Sequence, residues 1–152
     1  MLRNLLIAAG WLGFTLAVFA HAATLFAAPS GWVYWGITST FAVLWLLGLT
    51  SFAGMAYTYR HVPLGRAAAT VLNPFAAIPA FCRPIPRSGR VALALMFCYC
   101  LFCYAGLAAV PAAQTITHDH LPPREFMRVF TANEMWLGLV SSVIFTFHVA
   151  RR

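Results

Sequence analysis

Apolar positions in this chain come in long uninterrupted runs, with neither the alternation of a half-buried strand nor the narrow stripe of a soluble helix. Residues 5–28 hold 24 residues without a formal charge, residues 32–59 hold 28 and residues 91–113 hold 23. Each exceeds the roughly 20 residues needed to cross about 30 Å of hydrocarbon. A fourth run, residues 135–150, has 16 charge-free residues, about 24 Å of helix at 1.5 Å per residue. To span, it must extend backwards through Glu134 and Asn133 to residue 131. The pattern therefore predicts an all-α integral membrane protein with four transmembrane helices, at about 5–28, 32–59, 91–113 and 131–150, forming a single membrane domain over residues 1–152.

The interval 60–90 breaks the pattern. Its apolar centre, residues 67–82, is interrupted by Asn73-Pro74 and by Pro79. Proline removes a backbone donor and kinks a helix, and unpaired backbone is not tolerated against lipid. This segment reads as a Pro-broken interfacial or re-entrant stretch in a cytoplasmic loop, not a fifth span. The arginines agree. With four spans, Arg3, Arg60, Arg66, Arg83, Arg87, Arg90, Arg151 and Arg152 share one side, and only Arg124 and Arg128 fall on the other. Under the positive-inside rule that split predicts both termini in the cytoplasm (N-in/C-in), with residues 114–130 as an external loop. That loop and the residues just after it carry all three acids, Asp119, Glu125 and Glu134. Arg3, the apolar run behind it and Ala20-His21-Ala22 resemble a signal peptide, but the run is too long for the usual apolar region, so an uncleaved first helix is expected.

Composition confirms the class. Apolar residues make up 62% and charged residues 9%, against roughly 45–50% and about 25% in soluble domains; the mean hydropathy is +0.79. The net charge of +7 comes from ten arginines and no lysine. These arginines flank apolar runs, and no DNA- or RNA-binding motif accompanies them, so nucleic acid is excluded as a partner. Arg60, Arg66, Arg83, Arg87 and Arg90 frame the 60–90 segment and are placed to meet lipid or other phosphates.

Small residues locate the faces that meet other helices. Gly10, Gly13, Ala17, Ala20 and Thr24 recur at helical spacing in the first run, and Gly36, Thr40, Ser51, Gly54 and Thr58 share a broad face of the second. In the fourth, Glu134, Gly138, Ser141, Phe145 and His148 alternate steps of four and three. Such stripes let helices approach closely in lipid, within a bundle or against partner subunits. Trp32, Tyr34, Trp35 and Trp136 are expected at the external interface, and Tyr57 and Tyr59 at the cytoplasmic one.

Little catalytic chemistry is legible. Cys98 and Cys100 point about 200° apart on a helix, so the C-x-C-x-x-C string ending at Cys103 makes neither a thiolate metal site nor a helical disulfide. His21 and His148 fall at opposite ends of the membrane and cannot ligate one haem iron. His118, Asp119 and His120 form the best local metal candidate, with imidazole and carboxylate donors suited to zinc or copper. Glu134 is the sharpest position, because a carboxylate at the hydrocarbon edge is costly and functional by default. Thr131-Ala132-Asn133-Glu134 also matches a capping box, and His21 is the partner expected for Glu134 if the first and fourth helices meet.

No catalytic triad, metalloprotease motif, phosphate loop or nucleotide fingerprint is present. The expectation is a non-catalytic subunit or accessory protein of a larger inner-membrane assembly, such as an energy-transducing complex, embedded in the bilayer and bound to partner subunits through small-residue faces. The alternatives are a small transporter or channel, which needs a polar path between helices, and a redox subunit holding haem or quinone. The sequence names no cofactor.

Overall fold

The computed structural model describes residues 2–26, 31–58, 60, 78–79, 81–109 and 124–149. Among these residues the chain is helical without strands, and four helices are long and apolar enough to cross a membrane. They are α1 (Leu2–Phe26), α2 (Gly31–Thr58), α3 (Arg87–Ala108) and α4 (Arg124–Val143), the last continuing as a π-helical turn over Ile144–Val149.

The fourth helix is the hub. In their most apolar stretches 72% of residues are buried in α4, against 22%, 22% and 17% in α1, α2 and α3, and each of those three packs on α4. Small residues make this possible. A Cβ added to Gly138 would lie 2.9 Å from the Phe14 Cα, and one on Gly10 would lie 3.1 Å from the Ser142 Cα. The α1 and α4 backbones are therefore in direct contact, running antiparallel from Gly10–Ser142 through Phe14–Gly138 to His21–Thr131. On α2, Gly48 receives Leu137 and Gly54 receives Val149, so α2 runs parallel to α4. Helix α3 lies on another side of α4, antiparallel to it, with Phe97 against Trp136 and Leu93 in a cluster with Leu139, Val143 and Ile85. Helix direction thus alternates along the chain, which brings Trp11 of α1 to Thr146 at the far end of α4, with the indole N–H donating to the hydroxyl at 3.3 Å.

Outward faces suit lipid. Leu12, Phe19, Leu46, Leu49, Leu95 and Phe102 are exposed. Exposed hydroxyls satisfy themselves on their own helix, as when Thr15, Ser39 and Thr40 donate to Trp11, Trp35 and Gly36 carbonyls at 2.8–2.9 Å. That is the local solution where no water competes.

The expected α1 stripe is seen almost residue for residue: Gly10, Gly13, Ala17, His21 and Thr24 are its buried positions. All five residues of the α4 stripe are buried too. Three expectations change. The inward face of α2 holds Ile37, Leu44, Gly48 and Ser51; of the expected stripe Ser51 is buried and Gly54 meets Val149, whereas Gly36 faces open space. Trp136 packs inside the bundle against the Leu93–Leu139 cluster instead of marking an interface. The largest change is at α4, which starts at Arg124 and not at 131. Thr131 and Glu134 are thus interior helical residues, and the capping box does not form. Of the 60–90 segment, residues 61–77 lie outside the described part. Its end turns back on the bundle: Phe81 stacks on His148 and Ile85 is buried in the core.

Candidate functional site

The early start of α4 follows from what its first two turns do. Arg124 sends its Nε–H to the Thr24 carbonyl at 2.8 Å and a second guanidinium N–H to the Leu25 carbonyl. The last carbonyls of a helix lack intrahelical donors and carry partial negative charge, so this side chain caps α1 from another helix. Met127 and Val129 are buried, which makes the charged opening of α4 amphipathic instead of loop-like. Pro122-Pro123 stand directly before it in the sequence, a start signal available from the outset.

One turn further, Arg128 is half-buried, close enough to His21 and Tyr99 for its charge to act on both, and its Nε has no hydrogen-bond partner among the described residues. Next comes a closed polar knot. The Thr131 hydroxyl donates to the Met127 carbonyl at 2.8 Å and therefore meets His21 Nδ1, at 2.8 Å, as the acceptor. His21 Nδ1 must then carry the hydrogen, which leaves Nε2 to accept from the Tyr99 hydroxyl at 2.6 Å. The imidazole tautomer is fixed by its two neighbours, and the Tyr99 ring meets it edge-on. Cys100, beside Tyr99, donates its thiol to the Ala132 carbonyl at 3.3 Å.

Glu134 lies one turn beyond Thr131 on the same face. Its exposure is 0%, and neither carboxyl oxygen has a hydrogen-bond partner among the described residues. It sits about 15 Å along α4 from Arg124, well inside the helix rather than at its start. The expected contact with His21 is replaced: helices α1 and α4 do pack together, but the imidazole is taken up by Thr131 and Tyr99. Leaving one buried polar group unsatisfied costs about 1–3 kcal/mol, more for a charged one.

Beyond Glu134 the face turns dry. Gly138 is pressed on Phe14; Ser141 and Ser142 donate to the Leu137 and Gly138 carbonyls at 2.7 Å; Val143, Ile144 and Phe145 are at most 2% exposed. His148 lies at the far end, its ring stacked 4.9 Å from that of Phe81. It is about 25 Å along α4 from the His21 level, which keeps these two histidines apart as expected for any shared iron.

Other candidates separate cleanly. His118, Asp119 and His120 lie outside the described residues, as does Arg66. Arg60, Arg83, Arg87 and Arg90 are all exposed, with the Arg60 guanidinium 3.8 Å over the Tyr57 ring. The four cysteines are free thiols, and among the described residues no three of His, Cys, Asp and Glu converge on a metal position. On the outer side of α4, Asn133 donates to the Tyr104 hydroxyl at 2.9 Å. Sequence reading found His21 and Glu134 but missed Tyr99, Arg124 and Arg128. A tyrosine inside an apolar run carries little signal, and arginines near a run's end read as topology markers. No family model matches the chain, and no curated protein or solved structure matches it either.

Proposed function

We propose that this chain is a small ion-handling protein of a bacterial inner membrane, with both ends cytoplasmic and Glu134 as the group that takes up and releases the ion. The observation that carries the reading is Glu134 itself: fully buried, deep in the most enclosed helix, and without a partner for either oxygen among the described residues. A bundle held only for structure gains nothing from such a group, because an apolar side chain of similar size would fill the space without the desolvation cost. The polar knot one turn away supplies the path that a transporter or channel needs. The eight-to-two arginine split supports the orientation.

The test is reconstitution of purified protein in liposomes carrying an internal pH or sodium dye, with a potassium diffusion potential as driving force. Flux above that of empty liposomes, lost in Glu134→Gln, supports the reading. Flux equal to the empty control, or unchanged in the variant, overturns it.

A second reading, membership of a larger complex without activity of its own, is favoured by Asn133 and Tyr104. This polar pair faces outward at membrane depth, where a neighbouring helix would shield it better than lipid chains. Mass analysis after gentle detergent extraction separates the two: a stable hetero-complex supports the subunit reading, and a lone chain or homo-oligomer removes it.

A further inference from the structure

We propose that the species exchanged at Glu134 is a proton, and that in the conformation described it is exchanged from one side only, through Thr131, His21 and Tyr99 towards the end of the bundle that holds Arg124, so that flux across the membrane needs a second conformation in which the Gly138–Phe14 seam parts. This rests on the ion-handling reading above and gives it a substrate and a direction.

A desolvated metal cation needs several oxygen donors around it. Glu134 is the one fully buried acid among the described residues, Glu125 being half-buried in the first turn of α4, and no group of three ligand side chains converges there; Arg124 and Arg128 add like charge at the polar end. A proton needs only one carboxyl and a chain of hydrogen-bonding groups leading to it. Among the described residues, hydrogen-bonding groups that could make up such a chain lie in one direction alone. Thr131 and Glu134 are three residues apart on one helical face, so their Cβ atoms lie about 5–6 Å apart, within the combined reach of hydroxyl and carboxyl. Thr131 holds His21, and His21 holds Tyr99. In the other direction the Gly138–Phe14 backbone contact closes the seam, both serine hydroxyls are spent on their own helix, and Ile144 and Phe145 complete the seal.

The step balances as a relay. The Thr131 hydroxyl turns from the Met127 carbonyl and gives its hydrogen to the Glu134 carboxylate, while taking one from His21 Nδ1. His21 regains a proton at Nε2 from Tyr99, which is refilled from the Arg124 end. One proton enters, one is bound, and each intermediate group ends with as many as it began with. The titratable and charged groups along this path and at its mouth are His21 from α1, Tyr99, Cys100 and Cys103 from α3, and Arg124, Glu125 and Arg128 from α4. Helix α2 has no acid, base or thiol in its sequence.

A hydrophobic carbodiimide, dicyclohexylcarbodiimide, tests this, because it adds to a carboxyl that carries its proton. The full chain is placed in liposomes of single orientation, the pH on each side is varied separately, and labelling of Glu134 is followed by peptide mass, with Glu134→Gln as the blank. Labelling should change several-fold with pH on the Arg124 side and stay constant with pH on the other. The response should slow several-fold in Tyr99→Phe and in His21→Gln, whose melting temperatures show whether the bundle is intact. Control by the opposite side, equal control by both, or an unaltered response in both folded variants overturns the proposal while leaving ion handling standing. Failure of Glu134 to label at any pH overturns the ion-handling reading itself.

Discussion

On the Arg124 side of Gly138, the buried face of α4 carries Arg128, Thr131 and Glu134; on the other it carries Val143, Ile144 and Phe145. One stretch holds Thr131, which bonds across helices to His21, and the other holds Val143, Ile144 and Phe145, which only fill space. In a bilayer, burial alone does not separate protein interior from surroundings, since lipid is as apolar as leucine. What distinguishes the two halves is the work left for polar groups. The dry half is held by close packing, and the polar half gives up some of that packing to hold a hydrogen-bonded chain ending at an unpaired carboxyl.

If the dry half is held by packing, Phe145→Ala should be the most damaging single change, at about 3–5 kcal/mol, because the cavity left behind cannot collapse in a rigid interior. Unfolding in detergent micelles measures it, and a loss below that of the next variant would break the comparison. At the boundary, Gly138→Ala places a methyl 2.9 Å from the Phe14 Cα and should cost about 1–3 kcal/mol by forcing the helices apart. Gly48→Ala meets only the flexible tip of Leu137 at 2.7 Å, and Gly36→Ala meets nothing within 4 Å. Melting temperatures should therefore fall in the order Gly138, Gly48, Gly36. A reversed order would mean that the α1–α4 seam is not the close contact described.

In the polar half, hydrogen bonds should couple residues that packing does not. A double-mutant cycle with His21→Ala and Tyr99→Phe should give an interaction of about 1 kcal/mol, within the range for directly bonded neighbours. The cycle pairing His21→Ala with Glu134→Gln should be nearer additive, since no hydrogen bond joins those two. Coupling in the second cycle and additivity in the first would restore the contact that the sequence suggested. The smallest effect is expected at Glu134. Replacement by Gln keeps the volume and removes no hydrogen bond seen among the described residues, so stability should change by less than about 1 kcal/mol. A loss of several kcal/mol would show that the carboxyl is structurally satisfied and would weaken the case for a functional group.

Much of the bundle was legible because α1 and α4 meet through backbone proximity, and backbone proximity demands small residues at fixed spacing. Gly10, Gly13, Ala17 and Gly138 announce themselves. On α2 Ser51 does the same, but Ile37 and Leu44 do not, because isoleucine and leucine are equally at home facing lipid. The start of α4 was hidden for a related reason. Arg124, Glu125 and Arg128 lower the hydropathy of a stretch that is helical nonetheless, with Arg124 spent on α1 carbonyls. Placing Thr131 at a cap was a consequence of that missed start, and Glu134 inherited the error in depth. Tyr99 was illegible on any local ground, since its meaning depends on a histidine 78 residues earlier in the chain.

The central place of α4 bears on how the protein comes to be made. Membrane chains are synthesised and inserted from the N-terminal side; if the four helices span as proposed, α1, α2 and α3 enter the bilayer before the helix around which they gather. Until then α3 has almost nothing to lean on, and the α1 glycines at 10 and 13 have only Leu44 and Leu47 of α2 to receive one of them. The carbonyls at the end of α1 likewise wait for Arg124. A ribosome paused before α4 would leave three loosely associated helices in the membrane, and quality-control proteases that survey unassembled spans would meet their substrate at that moment.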